Sequence, residues 1–189
     1  MRFPSITPGW SHPHGLRSKL VVIPSSILLQ RVGPLQFPYA QRGSKHSHEA
    51  EWRELSFFYD RDDEAQIWRL VGSRAGLLRF REALPLYVAN PHNAATSEHE
   101  HFGPYMYLEV MTWPETGFGG HSIRGPLPEL ARLANLIGSK LAVAQPGSSV
   151  RIRDEFASNS EYSLILDVRK DGFDPATADP CLPPEERIR

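Results

Sequence analysis

The chain has 189 residues, 21 Lys and Arg against 22 Asp and Glu, one cysteine, and no apolar run near the roughly 18 residues that a membrane span requires. That length suits one domain with a substantial core, and a lone Cys181 excludes an internal disulfide, which fits a reducing, cytoplasmic location. Charge is unevenly placed: residues 1–48 hold six basic residues and no acidic one, so the remainder carries 22 acidic and 15 basic residues, a net of −7. Such a body lacks the concentrated basic face that phosphate backbones need, which argues against nucleic acid and for a neutral or basic protein partner.

Residues 1–43 read as a basic, acid-free arm, disordered or loosely attached. Its apolar stretch, Leu20 to Leu29, is interrupted by Pro24 and followed by no small-x-small cleavage site. An extension upstream of the mature chain and an organelle-targeting segment are the other readings of that composition.

Residues 44–170 read as a single α+β domain with an internal repeat. Segment 44–89 reappears at a constant offset of 53 as 97–142, with Leu70 over Ile123, Gly72 over Gly125, Leu77 over Leu130, Phe80 over Leu133 and Leu84 over Ile137. In the first copy, Leu55 to Tyr59 has the aromatic richness of a strand, Asp60 to Glu64 makes a turn, and Gln66 to Val71 returns. Ser73 is a candidate N-cap for a helix that buries Leu77, Phe80, Leu84 and Val88, with Pro85 expected to kink or shorten it.

In the second copy, Tyr105 to Trp113 is a strand, Pro114 to Gly120 a turn, and His121 to Arg124 the return. Pro126 opens a second helix with a stripe of Leu130, Leu133, Leu136, Ile137 and Leu141. A last hairpin pairs Val150 to Phe156 with Tyr162 to Arg169, and residues 171–189 read as a Pro-rich C-terminal tail on the surface. The order ββα-ββα-ββ predicts a two-layer α+β fold, two helices on one mixed, mostly antiparallel sheet of about six strands. Because each helix returns the chain along the sheet, strand two should run parallel to strand three, and strand four to strand five.

The histidines carry the spacing that invites chemistry. Alternate residues of an extended segment point the same way, so His99 and His101 could offer two imidazoles to one zinc or iron ion, with His92 as third ligand and Glu98 or Glu100 as oxygen ligands or base. His121 and Glu109 are excluded from that set on an extended path, since about ten residues at roughly 3.3 Å each put about 30 Å between them and the pair. The solvated alternative is a loop whose glutamates stabilise imidazolium charge. His-x-His also opens the first motif of cupins, but the glutamate expected a few residues downstream is absent. No nucleophile elbow, P-loop, dinucleotide fingerprint or paired Cys-x-x-Cys is present.

Tyr105, Tyr107 and Trp113 are the candidate binding surface. The function that these features favour is a soluble, non-catalytic interaction protein that binds another macromolecule through its sheet face or strand-end loops. It is like the toxin-neutralising immunity proteins in class, though no motif carries that likeness. A metal-dependent enzyme using the His-x-His site and a small-molecule binding domain are the alternatives.

Overall fold

A computed structural model of the chain describes residues 48–105 and 108–184. The basic arm, His46 and Tyr107 lie outside the described residues. A short helix, α1 (His48–Leu55), leads into β1 (Phe58–Asp62) and β2 (Ile67–Ser73), and the long helix α2 (Arg74–Ala89) follows without a break. A 3-10 turn at Pro91–Ala94 precedes β3 (His99–Phe102), β4 (Leu108–Thr112), β5 (Gly117–Phe118) and β6 (Ser122–Gly125). Helix α3 (Leu127–Val143), β7 (Ser149–Ile152), the one-turn helix α4 (Asp154–Ala157), β8 (Ser163–Arg169) and a 3-10 turn at Pro175–Ala178 complete the order.

The class is α+β, but two four-stranded sheets replace the expected single sheet of about six strands. The first has the order β1-β2-β8-β7 and the second β3-β4-β6-β5. Both follow one plan: a parallel central pair, β2 with β8 or β4 with β6, flanked by antiparallel strands. Strand two therefore runs parallel to the last strand of the chain rather than to strand three, and β6 takes β4 as its parallel partner rather than β7. The whole second sheet is inserted between β2 and β8, with α2 leading into it and α3 leading out.

Local signals explain the helices. Ser73 caps α2, its hydroxyl accepting from the Gly76 amide at 3.1 Å. That satisfies one of the donors a helix start leaves open. Leu77, Phe80, Ala83, Leu84 and Tyr87 form the buried stripe, with Tyr87 replacing the expected Val88. Pro85 neither ends nor shortens the helix: it sits exposed, and the helix continues to Ala89. Helix α3 buries Leu130, Leu133, Ala134, Ile137 and Leu141, while Leu136 is half-buried. The two helices pack against each other, and at one crossing the Arg81 side chain lies over Gly138.

At the offset of 53, the strand-into-helix step of β2 and α2 coincides with that of β6 and α3. Upstream the segments differ, because β1 pairs antiparallel with β2 whereas β4 pairs parallel with β6. The histidine end differs as well: His99–Phe102 is a strand, whereas His48 begins a helix.

Trp52, Trp68, Phe57, Phe80, Phe118 and Leu70 are among the fully buried side chains of one continuous core. Burying each contributes roughly 1.5–3 kcal/mol. The sheets are tied together through β5: the Trp68 indole donates to the Gly119 carbonyl at 2.7 Å, the Tyr162 amide donates to the Phe118 carbonyl at 3.1 Å, and Arg61 donates to the Gly120 carbonyl. The C-terminal segment is built into the domain rather than lying on it. Pro175, Ala176, Asp179 and Leu182 are buried, and the Asp179 carboxylate accepts from the Trp52 indole at 2.6 Å, the Tyr105 hydroxyl at 2.8 Å and the Cys181 amide at 2.8 Å.

Candidate functional site

Segment 99–102 is the outer strand β3, and it reorganises the histidine region. In its register with β4, His99 faces Met111, Glu100 faces Val110 and His101 faces Glu109. Alternation then sorts the side chains: His99 and His101 on one face, Glu100 and Phe102 on the other. The two imidazoles are 4.9 Å apart, ring centre to ring centre, and steeply inclined. Glu100 accepts from the Asn93 amide group at 3.0 Å, and His92, largely exposed, meets Glu98 at 2.9 Å.

His92, His99 and His101 with Glu98 and Glu100 are therefore not assembled as one donor set. Among the described residues no three His, Cys, Asp or Glu side chains lie close enough to hold a metal ion. Glu109, which the extended-path argument removed, lies 3.7 Å from His101. The chain turns back between Phe102 and Leu108 instead of running straight, so about 30 Å of contour closes to a cross-strand contact.

The core side of this region is held by a polar knot. The Tyr87 hydroxyl lies 2.6 Å from the Glu98 carbonyl and 2.9 Å from Thr112 Oγ1. Thr112 Oγ1 is itself 2.6 Å from the Asn93 carbonyl, and the Asn93 amide group donates to the Tyr87 carbonyl at 3.0 Å. Burial holds the Tyr87 phenol above its ordinary range.

Cross-strand register defines the two faces of the second sheet. Val110, Ile123 and Phe118 are aligned on one face and buried in the core, with Leu108 and Phe102 on the same side. The opposite face carries His99, Met111, Arg124 and Gly117 in one row and His101, Glu109 and Ser122 in the next. Trp113 continues the alternation of β4 on that side, its amide bonded to the Gly125 carbonyl at 3.1 Å. His99 is exposed, and His101, Glu109, Met111, Trp113 and Arg124 are half-buried.

Arg124 is the arginine on this face, and with Arg81 and Arg153 it is one of three described arginines whose Nε is buried without a partner. Its guanidinium lies against glycines of the neighbouring strand: a Cβ at Gly117 would stand 3.2 Å from Nε, and one at Gly119 would stand 3.8 Å from Nη1. Nε is buried with no hydrogen-bond acceptor, and among the described residues the side chain has no ion-pair partner. An unmet buried donor costs about 1–3 kcal/mol.

Tyr105 is not on this face. It sits with Trp52 and His48 at the C-terminal segment, its ring 4.7 Å from that of His48, and burial together with the Asp179 carboxylate holds its phenol well above the ordinary range. It anchors that segment. Of the two expected surface aromatics that are described, Tyr105 and Trp113, Trp113 is the one placed on the open face. Arg124, Met111 and Glu109 join it, and sequence reasoning missed them because only strand pairing assembles them.

The open face of the first sheet carries one ion pair and an exposed Arg151 whose contact is the Ser163 hydroxyl at 3.4 Å. Arg69 meets Asp167 at 3.5 Å, and Ser149 donates to the same carboxylate at 2.5 Å. A groove of about 550 Å³ opens at the start of α2, lined by residues that include Arg53, Ser73, Gly76, Arg79 and Asp174. No described helix is long and apolar enough to cross a membrane. Comparison of the chain with known protein families, curated proteins and solved structures finds no match.

Proposed function

We propose that this is a non-catalytic binding protein that engages a protein partner through the open face of its second sheet. The observation that carries the reading is the composition of that face. It combines half-buried Met111 and Trp113, residues suited to partner contact, with a guanidinium that nothing within the described chain neutralises. A toxin-neutralising role of the immunity-protein kind is the narrower form of the proposal, in which the partner is a toxin.

The test is site-specific photo-cross-linking in the source cells, with a benzophenone amino acid at position 111 and, as control, at position 151 on the first sheet. Position 111 should give a discrete adduct that Trp113→Ala removes, and the adduct's partner should bind the purified chain. Equal adducts from both positions, or none from 111, would refute the reading. A toxic partner, with cells rescued by co-expression, would establish the narrower form.

A second reading, a small-molecule binding domain, is favoured by the groove at the start of α2. Ligand screening by melting temperature tests it: a stabilising compound should lose its effect in Arg79→Ala.

A further inference from the structure

We infer that Arg124 is the receptor for a single carboxylate presented by an Asp or Glu side chain of the protein partner. This rests on the reading that the open face of the second sheet binds a protein, and it names the chemistry of the central contact.

The geometry of one residue carries it. Arg124 projects from β6, in register with Met111 on one side and Gly117 on the other. Two glycines leave a shelf on which the guanidinium rests, and a side chain at Gly117 would press on Nε. Nε is buried and finds no acceptor, and no ion pair involves the guanidinium among the described residues. A guanidinium without an internal ion-pair partner has two parallel N–H groups to offer, the fork that a carboxylate grips with both oxygens.

The surroundings select further. Met111 lies beside Arg124 and Trp113 follows one step along the same face, apolar neighbours that exclude water from a bound pair. Across the face, Glu109 lies 3.7 Å from His101 and forms no ion pair with Arg124 among the described residues. The body as a whole carries −7, which disfavours a broadly acidic ligand. The fitting partner therefore shows one acidic side chain on an otherwise neutral or basic surface.

The full-length 15N-labelled protein is titrated at constant ionic strength with three probes: acetate, the blocked tripeptide acetyl-Gly-Glu-Gly-amide, and its Gln counterpart. The readouts are the Arg124 Nε–Hε signal and the Gly117 and Gly119 amides beneath it. Saturable shifts are expected with acetate and the Glu peptide, with the Glu peptide at least threefold tighter, and none with the Gln peptide. Arg124→Lys keeps the charge but loses the fork, so the two glycine amides should stop responding while the rest of the spectrum stays unchanged.

An equal response to Glu and Gln peptides, or no response, overturns the assignment. Acetate binding as tightly as the Glu peptide overturns the protein source in favour of a free small carboxylate. The position-111 cross-link separates this inference from the broader reading. If the adduct survives in Arg124→Gln, the face binds a partner without this contact; if the adduct is absent from the parent, the face is not a docking surface at all.

Discussion

Removing the Asp179 carboxylate should unlatch the C-terminal segment from the core. Asp179 is 1 % exposed and accepts from three donors whose alternatives differ. Trp52 is fully buried, so its indole N–H is orphaned in Asp179→Ala at a cost of about 1–3 kcal/mol. Tyr105 is half-buried and Cys181 exposed, so water can replace the lost acceptor and each adds about 0.5–1 kcal/mol. The sum is about 2–5 kcal/mol, a large fraction of the stability of a domain this size.

Urea unfolding followed by tryptophan fluorescence should show the midpoint falling with an unchanged slope. Amide exchange should accelerate at residues 175–182 before it does in β8. In a double-mutant cycle with Trp52→Phe, the coupling should reach about 1–3 kcal/mol, because the second substitution removes the donor that the first would orphan. A loss below about 0.5 kcal/mol, or a coupling near zero, would refute the claim that this carboxylate holds the segment in place.

Gly76→Ala should destabilise the domain by more than about 2 kcal/mol, although alanine at an ordinary helix position gains up to about 1 kcal/mol over glycine; the new Cβ would stand 2.0 Å from the Ser56 carbonyl oxygen, and chemical denaturation reads the sign. Tyr87→Phe should cost about 1–2 kcal/mol and speed amide exchange across Glu98 to His101, since the hydroxyl that ties β3 to α2 is lost. The Arg61 guanidinium, and then the Tyr162 hydroxyl, hold the Asp63 carboxyl below the ordinary range. That contribution is present at neutral pH and lost as pH falls through the folded-state value; carbon NMR should show the titration midpoint rising in Arg61→Gln, and an unmoved midpoint would count against the assignment.

Local patterns were legible where the physics is local. The Ser73 cap, the stripes of α2 and α3 and the pairing of the last two strands follow from spacing and side-chain chemistry within a few residues, although the strand expected over Val150 to Phe156 ends at Ile152 and Phe156 lies in the one-turn helix α4. Pairing was not, because the apolar character of β2 says that it is buried but not which strand lies beside it; the partner, β8, comes from the far end of the chain. His99-Glu100-His101-Phe102 looks like a solvated loop by composition, yet the Tyr87 and Thr112 contacts and the register with β4 make it a strand. Asp179 lies in a Pro-rich acidic stretch that reads as surface, and its burial depends on an indole 127 residues away. The open face was half visible: the aromatic at 113 stood out, while Arg124 became notable only once its lack of a partner could be seen.

Insertion of the second sheet between β2 and β8 has a kinetic consequence. Ile67 must wait for Ser163 to be made and brought back before the parallel centre of the first sheet can close. Loop-closure entropy and high contact order make that the slow event. During synthesis β2 emerges with one edge unpaired while the inserted strands and both helices assemble behind it. The nascent chain therefore exposes an aggregation-prone edge from the synthesis of Ser73 until Ser163 is made, and β8 relieves that exposure.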